Sequence, residues 1–165
     1  MEVEFELIPI KAFSGPRCGV YTVRLKGETE DVFTQFFNEH KGKSGSKFDR
    51  MLLRIKDFGK KGARASYFKP NEGAMGDCVV ALWIEDLRLY CIRWGTDLVL
   101  LGGGGEKSTR TWNEDPNLSV HAELMKKVSA IIYEREQDGE VSQRLNDAGN
   151  RTFFEGNLMF LNEPE

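Results

Sequence analysis

The sequence predicts a single α+β domain, a small antiparallel β-sheet packed against an N-terminal helical hairpin and a longer C-terminal helix. Three observations lead there. Apolar residues alternate with a period of two near the N-terminus and between residues 78 and 101. They recur at helical spacing between residues 29 and 58 and again after Pro116. The chain has 165 residues, 40% apolar and 30% charged, an ordinary mixture for one folded domain, and neither a repeat nor a low-complexity stretch divides it.

Val3-Glu4-Phe5-Glu6-Leu7 alternates apolar and acidic residues as a half-buried strand does, and Pro9 limits its length. Gly19 to Leu25 alternates again. Val32, Phe33, Phe36, Phe37 and His40 then fall on one helical face, giving a short amphipathic helix over Thr29–His40. A Lys-Gly-Lys-Ser-Gly link leads to a second helix with the stripe Phe48, Met51, Leu52, Ile55 and Phe58. Ser46 and Asp49 have capping-box spacing, and Gly59 suits a C-cap. Two antiparallel helices are the simplest arrangement of this pair. After a loop over 62–76 come three close-set strands, Cys78–Ile84, Leu87–Trp94 and Leu98–Leu101, the last two joined by the turn Trp94–Asp97. The unbroken apolar run Leu98–Leu101 predicts a central strand covered on both faces, ended by Gly102 to Gly105. Pro116 opens the longest helix, with Leu118, His121, Ala122, Met125, Val128, Ile131 and Ile132 inward. A short polar helix over Glu140–Asp147 and a terminal hairpin over Phe153–Phe160 complete the expectation.

Three cysteines without CxxC spacing and two histidines predict neither a disulfide framework nor a zinc site, and no metal or cofactor is expected. No apolar run reaches the roughly 20 residues a bilayer span needs, and the acidic N-terminus is unlike a signal peptide, so the expected location is cytoplasmic, with no membrane partner.

The net charge of −3 argues against a nucleic-acid partner, but its distribution does not. Lys41 to Pro70 holds ten basic residues against Asp49 and Asp57, a balance of +8, whereas Glu134 to Glu165 carries −5. The local field, not the sum, governs what a face attracts.

The order strand, helix pair, meander, together with the run Leu87-Arg88-Leu89-Tyr90-Cys91-Ile92-Arg93, the strand Leu98–Leu101 and Gly102-Gly103-Gly104-Gly105-Glu106-Lys107-Ser108-Thr109, resembles the RelE/ParE toxin superfamily, in its HigB or addiction-module-killer branch. Glu106 stands where that branch usually has aspartate. The resemblance covers Gly19 to Tyr133 of a single domain, leaving residues 1–18 as an N-terminal strand extension and 138–165 as an acidic C-terminal extension. It implies the toxin of a bacterial type II toxin–antitoxin system, a ribosome-dependent mRNA endonuclease cleaving without metal by attack of a ribose 2′-hydroxyl. The implied partners are a cognate antitoxin, the ribosome and mRNA. The alternatives are a ParE-like toxin that binds DNA gyrase and an inactive relative that only binds.

Cleavage of this kind needs a base, cations on the charged phosphorane and an acid for the leaving group. The resemblance assigns the cationic role to Arg88 and Lys107. Arg88 and Tyr90 share a strand face, so both are candidates at one phosphate, whereas Arg93 lies on the other face. Lys56, Lys60, Lys61, Arg64 and Lys69 are the candidate RNA-backbone contacts. His121, on an apolar stripe, reads as a core histidine. The glycine run is not a nucleotide-binding loop, because Leu101 and Glu106 occupy the positions of both anchoring glycines.

Overall fold

A computed structural model describes residues 3–43, 45–69, 78–108 and 115–162. Its centre is a seven-stranded mixed sheet in the order β3-β4-β5-β6-β2-β1-β9, with a separate two-stranded sheet, β7-β8. The strands are β1 (Phe5–Pro9), β2 (Gly19–Leu25), β3 (Phe68–Lys69), β4 (Val79–Ile84), β5 (Leu87–Trp94), β6 (Leu98–Glu106), β7 (Val141–Leu145), β8 (Arg151–Gly156) and β9 (Met159–Phe160). The helices are α1 (Val32–His40), α2 (Ser46–Lys61) and α3 (Pro116–Gln137).

The expected small antiparallel sheet against a helical hairpin is corrected in two respects. The sheet is larger and mixed, because β2 runs parallel to β6 through Gly19–Leu98, Val20–Val99 and Tyr21–Leu100. The two early helices do not form a hairpin. α1 packs on β6 and β2, whereas α2 packs on β4 and β2, the two meeting at a corner where Phe36 and Phe37 lie 5.9 and 5.4 Å from Phe48. Apolar stripes specify that a helix needs a partner, and here each found the sheet rather than the other helix.

The sheet is covered on both faces. On one side Phe33 and Phe36 of α1 and Phe48, Met51, Ile55 and Phe58 of α2 bury Leu82, Ile84, Leu87, Leu89, Val99 and Leu101. On the other, Leu118, Ala122, Met125, Val128 and Ile132 of α3, with Val141 and Phe154 of the β7-β8 hairpin, bury Val79, Ala81, Tyr90, Ile92 and Leu100. Unbroken apolar β6 is thus central and sandwiched, as a strand without polar alternation must be.

Local departures from expectation have local causes. Asp31 caps α1, accepting from the Thr34 N–H at 2.7 Å. No side chain caps α2, whose N-cap is Gly45, so Ser46 and Asp49 form no capping box. Helix α2 also runs through Gly59 to Lys61. Gly59 serves close approach: a Cβ on Gly15 would lie 2.5 Å from its carbonyl oxygen. Gly62, at φ 87°, ends the helix and donates to the Phe58 carbonyl. Strand β6 does not stop at Leu101 but continues through all four glycines. Between the pairs Cys91–Leu101 and Leu89–Gly104, Tyr90 opposes two residues, a β-bulge. Side chains there would collide with α3, since a Cβ on Gly102 would lie 2.7 Å from Met125 Sδ and one on Gly103 2.6 Å from His121 Nδ1.

The polar helix expected over Glu140–Asp147 is instead β7, paired to β8. Asn146 closes their turn, its Oδ1 accepting from the Ala148 and Asn150 N–H groups at 3.0 Å. Phe153–Phe160 is not a hairpin, because β8 pairs with β7 while β9 returns along β1. No helix among the described residues is long and apolar enough to cross a membrane.

Candidate functional site

Alternation along β5 places Arg88, Tyr90 and Ile92 on the α3 side and Leu87, Leu89 and Cys91 on the α2 side, as the sequence spacing requires. Arg93 accordingly lies away from Arg88, its Nε donating to the Ala63 carbonyl at 2.8 Å.

Arg88 is 4% exposed. Its Nη1 donates to the Glu85 carbonyl at 2.5 Å and to its neighbour Leu87's at 3.3 Å, and the guanidinium stands 6.0 Å from the centre of the Trp83 ring. Trp83 is the cross-strand partner of Arg88, and Lys69 Nζ lies 4.7 Å from the same ring. Tyr90 is wholly buried beneath α3. Lys107 is half-buried just past β6, its N–H donating to the Asp86 carbonyl at 2.7 Å. Arg88 and Lys107 therefore share one end of the sheet, Arg88 pairing with Gly105. A buried guanidinium bound to carbonyls holds a turn together; it is not presented to an incoming strand.

Glu106 points elsewhere than at a phosphate. It joins Asp86 in binding Lys47 of α2, at 3.3 and 2.7 Å. These contacts hold the Asp86 carboxyl below its ordinary range and raise the Lys47 ammonium. Arg50 is similarly occupied by Glu85 at 2.6 Å. The N-terminal cations of α2 thus serve to fasten it to the β4-β5 turn.

The C-terminal half of α2 is different. Lys56 and Lys60, and Arg64 three residues past the helix, are exposed and have no ion-pair partner among the described residues. Lys61 meets only Asp57, one turn back at 3.7 Å, an exposed pair worth little. The candidate RNA contacts therefore divide. Lys56, Lys60, Lys61 and Arg64 belong to the α2 side, whereas Lys69 joins Arg88 around Trp83.

Sequence reasoning missed Arg17 and Trp83. Arg17 lies in the β1-β2 loop, where no periodicity marks it, yet it borders an open cleft of about 550 Å³ with Lys60, Lys61, Thr96, Ala148 and Asn150. Trp83 is recognisable only from cross-strand register.

Cys18, Cys91 and His121 are packing groups, whereas Cys78 is exposed. Burial pushes the Cys18 and Cys91 thiols up to about 12. His121 rests on Gly103, and burial depresses its imidazole below the usual value. No three His, Cys, Asp or Glu side chains gather as metal ligands among the described residues.

No family model, curated protein or solved structure matches this chain. The toxin resemblance rests on the residues quoted for it.

Proposed function

We propose that the protein binds the phosphate backbone of RNA through the outer face of α2, and that it acts by binding and not by cutting. The observation that carries this reading is the set of exposed cations, Lys56 and Lys60 on α2 and Arg64 just beyond its end, none of them in an ion pair among the described residues, in a segment of balance +8. A whole-chain charge of −3 does not oppose it, because phosphates respond to the local field within a Debye length of about 10 Å. Cleavage is left out because Arg88 is committed to carbonyls and Tyr90 is sealed in the core. Among the roles that the toxin resemblance implies, this corresponds to the binding relative. Ribosomal RNA or mRNA is the expected ligand, and an acidic antitoxin segment would compete for the same face.

The test is fluorescence anisotropy of a labelled oligouridylate RNA over a range of salt. Each phosphate neutralised contributes about 0.7 to the slope of log affinity against log salt for a single strand. Replacing Lys56, Lys60 and Arg64 with alanine should therefore flatten the slope by about 2. An unchanged slope, or no binding by the wild type near 50 mM salt, refutes the proposal. RNA scission by the wild type that Arg88→Ala abolishes without unfolding would restore the nuclease.

A further inference from the structure

We propose that the cleft bordered by Arg17, Lys60 and Lys61 is a phosphate-binding site whose far wall is the tip of the β7-β8 hairpin. The inference deepens the RNA-backbone reading and rests on it for what carries the phosphate.

Four chain segments distant in sequence build the cleft: the β1-β2 loop, the end of α2, the β5-β6 turn and the hairpin tip. They are fastened to one another by hydrogen bonds that leave the cations free. The Arg17 N–H donates to the Gly59 carbonyl at 3.0 Å, and the Ala63 N–H to the Thr96 carbonyl at 2.7 Å. Both Asn146 and Asn150 donate side-chain N–H groups to the Pro16 carbonyl at 2.8 Å. The Arg151 N–H donates to Asp97 at 2.8 Å. Beneath, Phe154 wedges between the rings of Tyr21 and Trp94 at 5.1 and 5.3 Å, and its N–H donates to the Tyr21 hydroxyl. A cleft so braced is largely formed before its ligand arrives, which reduces the ordering cost of binding.

Electrostatics select the ligand. Three full positive charges line the cleft, and no lining residue is acidic. The opposing features are Asp57, in its loose pair with Lys61, the carboxylates Asp97 and Asp147 next in sequence to the lining residues Thr96 and Ala148, of which Asp97 accepts from the Arg151 N–H, and the negative end of α2. That end amounts to roughly half a charge. Here it is further blunted, because the Phe58 and Gly59 carbonyls are already capped by Gly62 and Arg17. A small polyvalent anion is the complement, and a guanidinium fork beside ammonium groups suits phosphate oxygens. The site also gives the hairpin a function in the binding face.

Two variants test this without touching the brace. Arg17→Ala removes the fork but keeps its backbone bond, and Ala148→Glu sets a carboxylate at the exposed lip. The first probe is inorganic phosphate against chloride at equal ionic strength, read as the change in Tm. Phosphate salts stabilise folded proteins generally, so the quantity of interest is the wild type's excess shift over Arg17→Ala. The second probe is the oligouridylate RNA, with and without a 5′-phosphate, which separates a terminal phosphate from an internal diester. The expected result is an excess shift for the wild type, and RNA affinity reduced about tenfold or more in both variants, as losing a charge-assisted contact implies. Equal shifts in wild type and Arg17→Ala, together with RNA affinity insensitive to Ala148→Glu, would overturn the site. If the Lys56 and Arg64 substitutions still weakened RNA in that case, the α2 reading would stand alone. Conversely, an Arg17-dependent phosphate shift in a protein that binds no RNA would keep the cleft and discard its RNA ligand.

Discussion

Replacing Gly104 with alanine should be far more damaging than the same change at Gly105, one residue along the same strand. A Cβ on Gly104 would lie 1.8 Å from the Arg88 carbonyl oxygen, 2.8 Å from its carbon and 2.9 Å from the Leu89 Cα. All three are backbone atoms of the paired strand, so no rotamer change relieves the collision, and β5 must retreat by about 1 Å or more to restore ordinary contact. Overpacking that moves backbone costs about 1–3 kcal/mol, and a collision this close with main-chain atoms belongs at the top of that range, about 3 kcal/mol. For a domain of this length that lowers Tm by about 6–12 °C. A Cβ on Gly105 meets only Leu118 Cδ2, at an ordinary 3.5 Å. There the loss of chain entropy in the unfolded state should leave stability unchanged or raise it by up to about 1 kcal/mol. Thermal melts followed by far-UV circular dichroism, with urea titrations beside them, read both. Two variants melting within a degree or two of each other would refute the packing account of the glycine run.

Two further outcomes follow from the buried polar groups. Arg88→Ala should cost about 2–4 kcal/mol, since the Glu85 carbonyl loses a charged donor and Trp83 a stacking partner, and Arg88→Lys should recover little because an ammonium lacks the fork; an unchanged urea midpoint for Arg88→Ala would show the residue free of structural duty. For His121, burial depresses the imidazole below its ordinary 6.5, the Glu39 carboxylate opposing the shift and His40 assisting it. The unfolded chain therefore takes up a proton at higher pH than the folded one. Stability should fall as pH drops from about 7 towards 5, and His121→Gln should flatten that limb. An equally steep limb in the variant would assign the effect to other groups.

Much of the fold could be read from residue order. Strand β5 has the bounds its alternation predicts, and α3 opens at Pro116, with Asp115 accepting from the Asn117 N–H at 3.0 Å. What escaped the sequence were matters of partnership. Nothing in Gly19–Leu25 says that its neighbour is β6 and parallel, because β2 is buried on both faces and its side chains do not record strand direction. Val141-Ser142-Gln143-Arg144 carries too little apolar periodicity to separate strand from helix, and pairing with β8 decides it. The glycines defeated a local reading because their cause lies in Met125 and His121, over twenty residues and eighteen residues further on. Arg17 was invisible for the same reason, its companions being brought to it by α2 and the hairpin.

The sheet sorts the cations, and that sorting constrains any chemistry. Arg88 and Lys69 flank Trp83 on the α3 side, while Lys56, Lys60 and Lys61 belong to α2, with Arg64 just beyond its end. Two covered faces of a sheet stand about 10 Å from their packing layers, so one phosphate cannot engage both groups at hydrogen-bonding distance. A single backbone could reach both only by passing around an edge of the sheet, and Arg88 would meet it buried, with its Nη1 already donating to two carbonyls. The α2 group needs no such path. Its charges are solvated, unpaired among the described residues but for Lys61, and continuous with Arg17 across the cleft. Binding energy for an anion is available where charge is not already neutralised, and in this fold that condition is met on the helix and not on the meander.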